Sequence, residues 1–355
     1  MSDDRQDRLR ALLRAAERLA DPHDALGREA REALLASSGL SPQGVELALT
    51  RHLEHRAGRA AVTQLVRRGP AVPAAHVLLS ANVFVAAFRA IAVALAQSGR
   101  VFVRPSRREP TFARLLAEGS GGAFELVDQL SPRAGEHLWA YGTEETLRNL
   151  RGQLPAGVLF HPHGPGLGVA LLSERGLVGT PLVDAARALA ADVIAFDQRG
   201  CLSPRLVLVQ GDPSLAEQFA DALALWLEDA EKHVPRGRLS ADEDADALRY
   251  EHTMAYVGGA RRAGQGLVVV ERQAERLFVP PVGRYLSVVT TSDPLARLAD
   301  LGARVTTVGL LGDDALPGRV QAVLGRARVV PFGRMQLPPL DGPVDQRSGW
   351  DAETI

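Results

Sequence analysis

The chain contains a single thiol, Cys201, set in Asp197-Gln198-Arg199-Gly200-Cys201-Leu202-Ser203-Pro204-Arg205. A lone cysteine is most often a small buried hydrophobe. The glycine before this one and the polar residues around it do not read as a core segment. They describe a loop between a helix and an apolar strand, the kind of position where reactive groups are held. Neighbouring positive charge or backbone N–H groups would convert such a thiol to a nucleophilic thiolate.

Other residues have types suited to chemistry. Arg104, Arg107 and Arg108 follow a short apolar run, and arginines at the end of a sheet strand stand where nucleotides bind in open α/β sheets. His161 and His163 can exchange protons near neutral pH, although loop histidines are usually solvated or bonded to backbone. Asn82, taken alone, reads as a turn residue or as the N-cap of the helix after it. Gly164-x-Gly166-x-Gly168 has the spacing of a dinucleotide loop but precedes a strand-like run where a phosphate site needs a helix. It is expected to be flexible backbone at a crossing between domains.

The elements that must position these residues follow from hydrophobic periodicity. Arg5 to about Arg59 carries apolar residues at three- and four-residue spacing (Leu9, Leu12, Leu13, Ala16, Leu19), with a cap at Ser41-Pro42, which predicts an N-terminal helical layer. After Gly69-Pro70-Ala71-Val72-Pro73 short β-rich runs alternate with helices, the pattern of a parallel sheet. Strands are expected at 76–80, 101–104, 124–127, 138–141 and 158–161. The helix at 84–97 is apolar but broken by Arg89 and shorter than the roughly 20 residues that span a bilayer, so it reads as buried. From Gly164 a second α/β series begins, with strands at 169–172, 206–210, 267–270, 285–290, 305–311 and 328–330. One helix is expected to be capped by Thr180 with Pro181 first, and another to open at Asp212-Pro213. Val234 to Asp246 is charged and reads as a solvated loop, and the last twenty residues lack periodicity.

In that frame four segments, in order, resemble the aldehyde dehydrogenase superfamily. Gln198-Arg199-Gly200-Cys201 is similar to its nucleophile loop, and Ser80-Ala81-Asn82-Val83 to the loop bearing an oxyanion-hole asparagine. Gly99-Arg100-Val101-Phe102-Val103-Arg104-Pro105-Ser106 resembles its cofactor segment, with Arg104 in place of lysine, and Tyr141-Gly142-Thr143 resembles a turn that approaches cofactor phosphates. Within the superfamily the chain looks most like the acyl-CoA reductases of the bioluminescence type (LuxC-like), which its 331–342 tail supports. Where hydrolytic members carry a glutamate base, the chain has Phe160-His161-Pro162-His163-Gly164-Pro165-Gly166, with no carboxylate to activate water. Glu275-Arg276-Leu277-Phe278-Val279-Pro280 is only a partial echo of the element that grips the nicotinamide ribose.

The resemblance implies an α/β fold with a Rossmann-type cofactor domain over residues 1–163, a catalytic domain over 164–335 and a tail over 336–355 that returns to the active site or a subunit interface. It implies Cys201 as nucleophile, Asn82 as oxyanion donor, and Arg104, Ser106, Arg107, Gly142 and Thr143 around NADPH, with no metal. Arg107 stands where a glutamate would hydrogen-bond the 2′-hydroxyl of NAD, so a phosphate is favoured there. The expected activity is reduction of a fatty acyl-CoA thioester to the aldehyde by a homo-oligomer. The rivals are reduction of an acyl phosphate such as glutamyl phosphate, and a non-catalytic partner subunit.

Composition agrees with small-molecule chemistry. Lys and Arg number 41 against 42 Asp and Glu, a net charge of −1 that leaves no electrostatic footprint for nucleic acid or an anionic membrane. One cysteine excludes an internal disulfide, and the charged first residues lack the apolar run of a signal peptide, so a cytoplasmic location is expected.

Overall fold

The computed structural model describes every residue except 1, 70, 257–258, 272–276, 326 and 343–352. Glu275 and Arg276 of the ribose-element echo, and much of the expected tail, lie outside the described residues.

The strands in chain order are β1 (Ala75–Leu78), β2 (Val101–Arg104), β3 (Glu125–Leu126), β4 (His137–Tyr141), β5 (Leu159–His163), β6 (Leu167–Ser173), β7 (Pro204–Gln210), β8 (Ala260–Ala263), β9 (Gly266–Glu271), β10 (Tyr285–Thr290), β11 (Val305–Leu311), β12 (Arg328–Pro331) and β13 (Glu353–Thr354). They form two sheets, in the orders β13-β5-β4-β1-β2-β3 and β12-β11-β6-β7-β10-β9-β8. All pairings are parallel except β13 with β5 and β8 with β9. The chain changes sheets between β5 and β6, across residues 164–166. Every residue of β6 is buried, as expected of a parallel strand covered on both faces.

The N-terminal helices span Ser2–Ala20, Ala25–Ser37, Pro42–Leu47 and Arg59–Arg68, with a π-helical turn at Ala48–His52. Ser41 caps the third by accepting from the Gly44 N–H at 3.1 Å. Leu9, Leu12 and Leu19 are fully buried in one core with the helix Ala86–Gln97, in which all residues from Ala87 onward are buried. That helix is thus enclosed by protein and lies between the N-terminal layer and the first sheet.

The structure departs from the sequence reading at several points. The helical layer runs on to Arg68, and a helix at Thr111–Gly119 and the strand β8 were not expected. Thr180 is not a cap: Pro181 itself, at ψ 138°, precedes the helix Leu182–Ile194. The 240–246 stretch is no loop but opens the helix Ala241–Met254, because Ser240 and Glu243 form a reciprocal capping box. Gly168 is not flexible backbone. A Cβ there would lie 2.5 Å from the Leu202 carbonyl oxygen and 2.7 Å from Met335 Cε, so close packing requires the glycine.

The segment after β12 returns across both sheets as a strap. Asp192, buried in the helix Leu182–Ile194, accepts from the N–H groups of Gly333 (2.6 Å), Met335 (3.0 Å) and Gln336 (3.4 Å). Arg328 donates to the carbonyls of Met335 and Arg334. Arg89, buried in the helix beside the first sheet, pairs with both oxygens of Glu54 and donates to the carbonyls of Pro338, Pro339, Leu340 and Gly342. One guanidinium therefore ties the N-terminal layer, the first sheet and the strap. Truncating it leaves Glu54 unpaired and the carbonyls of Pro338, Leu340 and Gly342 without a donor among the described residues, a loss of the size measured for broken buried ion pairs. Arg89→Met should lower the unfolding free energy by about 3 kcal/mol in denaturant titration; a loss below about 1 kcal/mol would show that the strap is held elsewhere.

Candidate active site

Cys201 is presented by a backbone kink. After the helix Leu182–Ile194 three successive non-glycine residues take left-handed backbone angles, Phe196 (φ 55°), Asp197 (φ 50°) and Gln198 (φ 62°), and the loop then enters β7. Such residues cost on the order of 1 kcal/mol each unless their surroundings hold them. The Asp197 carboxylate pairs with the fully buried Arg284 at 2.9 Å and accepts from the Gly237 N–H at 2.9 Å. Arg284 also pairs with Glu231 at 2.9 Å. The Gln198 amide donates to the carbonyls of Pro204 and Tyr285 and accepts from the Tyr285 N–H at 2.7 Å, filling a gap between β7 and β10. Thr306 donates to the Cys201 carbonyl.

Cys201 itself is half-buried. The nearby guanidiniums are committed elsewhere: Arg199 pairs with Glu243 at 2.9 Å and donates to the Arg238 carbonyl, and Arg205 donates to the Pro280 carbonyl. The two arginines that flank it in sequence are thus bonded to other groups. The loop abuts the first sheet, since a Cβ on Gly200 would lie 3.3 Å from Val83 Cγ2 and 3.6 Å from Gln336 Oε1. The strap and the loop carrying Asn82 thus meet the residue before the thiol.

The remaining candidates lie along one edge of the first sheet. From β1 the chain steps to β2 and β3 on one side, then reverses to β4 and β5 on the other. The crevice outside the carboxyl ends of β1 and β4 is therefore the switch point at which such sheets bind ligands. Asn82 follows β1. Arg104 ends β2, with Ser106, Arg107 and Arg108 after it, and Gly142 and Thr143 follow β4. Asn82 is not an N-cap: the following helix starts after Val85 with no side-chain cap, and the Asn82 Oδ1 accepts from Arg108 Nη2 at 3.1 Å. Thr143 caps the helix Glu144–Arg151 through the Thr146 N–H. With Glu144 and Glu145 in that first turn, positive charge for a phosphate falls to Arg104 and the exposed Arg107. Arg107 has no ion-pair or hydrogen-bond partner among the described residues. This donor set suits an anionic nucleotide.

The two histidines of the 160–166 segment differ. His161 is buried, stacks on Trp139 at 4.4 Å between ring centroids and bonds His137 at 2.9 Å. Burial pushes its pKa down to about 3, so at neutral pH it is a neutral imidazole and not an imidazolium acid. His163 is half-buried and stacks on Tyr141. His52 was not singled out by the sequence. It faces Phe196 at 5.1 Å, bonds the Gln336 carbonyl and is likewise held neutral by burial, down to about 4. Arg284, Thr306 and Gln336 were missed as well, because their partners lie between 53 and 284 residues away.

Residues 120–345 match the family described as Acyl-CoA reductase (LuxC). The match includes Thr143 and Cys201 and leaves Asn82 and the arginines of 104–108 outside it. No curated protein matches the chain in sequence. Among solved structures, an NAD-dependent benzaldehyde dehydrogenase from Corynebacterium glutamicum superposes with a TM-score of 0.68 at 16% identity, over 92% of this chain and 81% of that one. PnpE from a Pseudomonas species gives 0.70 at 14%, over 92% and 77%. The glyceraldehyde-3-phosphate dehydrogenase GapN from Methanocaldococcus jannaschii, complexed with NADP, gives 0.68 at 12%, over 94% and 82%. The fold is that of the aldehyde dehydrogenases, and folds of this kind bind NAD(P). No helix among the described residues is long and apolar enough to cross a membrane.

The buried histidine carries a pH prediction. Its folded pKa lies below the unfolded value near 6.5, so the unfolded chain takes up a proton that the fold refuses. Its contribution is complete above pH 6.5 and is lost as the pH falls toward 3. Asp192 acts in the opposite sense, because burial raises its carboxyl to about 7 and stability from that group falls as the pH rises from about 4 to 7. Comparing His161→Phe with the parent cancels the Asp192 part. The drop in unfolding free energy between pH 7 and pH 5 should shrink by about 2 kcal/mol in the variant. Equal drops in both proteins would mean that His161 is charged in the fold.

Proposed function

Because the chain belongs to the acyl-CoA reductase (LuxC) family of aldehyde-dehydrogenase-like oxidoreductases, we propose that it reduces a fatty acyl-CoA thioester to the aldehyde with NADPH, carrying the acyl group on Cys201. The observation that supports this most is the kinked loop, which spends backbone strain to bring Gly200, the residue before the thiol, against Val83, the residue after Asn82. Residues 1–163 would take the cofactor, and 164–335 would carry the nucleophile.

The Cys201 thiolate attacks the acyl-CoA carbonyl carbon, and the oxyanion accepts from the Asn82 Nδ2–H and the Cys201 backbone N–H. The carbon–sulfur bond to CoA breaks, CoA thiolate departs and is protonated by solvent, and Cys201 holds the acyl thioester. Arg104, Ser106, Arg107 and the 142–143 turn would hold NADPH, which would supply the hydride that this carbonyl carbon takes up. The same two donors hold the oxyanion again, and its collapse returns the Cys201 thiolate and releases the aldehyde. The 160–166 segment has no carboxylate to activate water against the thioester.

Incubation with acetyl-, octanoyl- and palmitoyl-CoA without NADPH, followed by intact-protein mass spectrometry, should show one acyl adduct on the parent and none on Cys201→Ala. Aldehyde formation by the alanine variant would end the covalent reading. For cofactor choice, Arg107→Glu should raise the KM for NADPH at least about tenfold and leave that for NADH equal or lower, since a charge-assisted contact to the 2′-phosphate becomes a repulsion. An unchanged preference would make Arg107 a surface charge.

A further inference from the structure

We propose that Arg108 is a positioning residue that fixes which atom of the Asn82 amide faces the substrate. This rests on the oxyanion role given to Asn82 above. The two residues lie 26 positions apart, on the loops after β2 and β1, strands paired in register with Leu78 opposite Arg104. Each end of the arginine is anchored. Its N–H donates to Ser106 Oγ at 3.3 Å, and the next residue, buried Glu109, accepts from the Phe112 N–H at 3.0 Å at the start of the helix Thr111–Gly119. The Nη2 group then reaches the Asn82 Oδ1 at 3.1 Å.

The chemistry of the pair decides the orientation. An amide side chain presents an acceptor or two donors according to a rotation that costs little by itself, whereas a guanidinium has only donors. With Arg108 in place, the oxygen turns to the arginine and the NH2 group turns away from it. A flipped amide would set N–H against N–H there and present its oxygen to the developing oxyanion, a repulsion where an attraction is needed. No group among the described residues accepts from Asn82 Nδ2, so that donor remains available. The cationic bond to the carbonyl also polarises the amide and strengthens the N–H as a donor. Arg107, one residue earlier, has no such partner, so adjacent arginines are given different tasks: one is left for an anion and the other is spent on the amide.

The test is a double-mutant cycle on single-turnover acylation of Cys201, using whichever of acetyl-, octanoyl- and palmitoyl-CoA labels the parent fastest, without NADPH. Asn82→Ala should slow acylation about 10²- to 10³-fold. Arg108→Met should slow it about tenfold with the apparent Kd for acyl-CoA unchanged, Arg108→Lys, which keeps a pure donor, should recover most of the rate, and Arg108→Met added to Asn82→Ala should cost nothing more. Arg108 is exposed, so the variants should keep the parent Tm. Equal losses in both backgrounds would mean that Arg108 acts on the substrate directly and would overturn the proposal, as would a normal rate in Arg108→Met beside a slow Asn82→Ala. A normal rate in Asn82→Ala would remove the oxyanion role itself and this inference with it.

Discussion

A buried ion pair sits under a strained turn, and the rest of the site is arranged around it. Three consecutive left-handed residues bring the chain out of the helix Leu182–Ile194 and point it into β7 within a few positions. Without support that backbone would relax and the thiol would move. Asp197 and Gln198 supply the support from inside the strained run, one by pairing with Arg284 and the other by bonding both β7 and β10. Arg284 is itself left-handed and fully buried, with Glu231 as its second partner. Buried charges of this kind contribute little net stability but penalise any arrangement that separates them. Their effect here is to specify one conformation of the loop that carries Cys201.

The strap extends the same logic between the two halves. Residues 333–342 run from the second sheet to the helix beside the first and are bonded along their length through main-chain groups, to a carboxylate at one end and a guanidinium at the other. Bonds to backbone fix the path of the chain whatever its side chains are. Gln336, in the middle, bonds Ser203 through its side chain and His52 through its carbonyl, so the N-terminal layer, the strap and the loop of Cys201 share one junction. Such a tie fixes the loop of Asn82, which follows β1 of the first sheet, relative to the loop of Cys201, which enters β7 of the second.

The polar groups buried near the site are mostly kept out of the chemistry. His52 and His161 are held neutral by burial, and the arginines beside Cys201 are bound to carboxylate or carbonyl groups. Among the described residues, Arg107 and the Asn82 Nδ2–H are candidate groups without a partner of their own.

The sequence by itself determined the alternation of elements, the chain position of the sheet change and the identity of the candidate groups. Each of these is written in local patterns: apolar spacing, Ser41-Pro42 and Asp212-Pro213 as helix starts, and a thiol in a polar loop. The Ser240 and Glu243 capping box was equally local and was obscured only by the charge around it. Tertiary structure alone decided which charges are spent and which remain. Arg107 and Arg108 are indistinguishable as neighbours in sequence, yet one is unpartnered among the described residues and the other holds Asn82, because strand pairing brings the loops after β1 and β2 side by side. Asp197 meets Arg284 across 87 residues and Arg89 meets the strap across about 250. Periodicity reports which face of an element is buried, not which distant element covers it, so contacts over such separations exist only once the two sheets have packed.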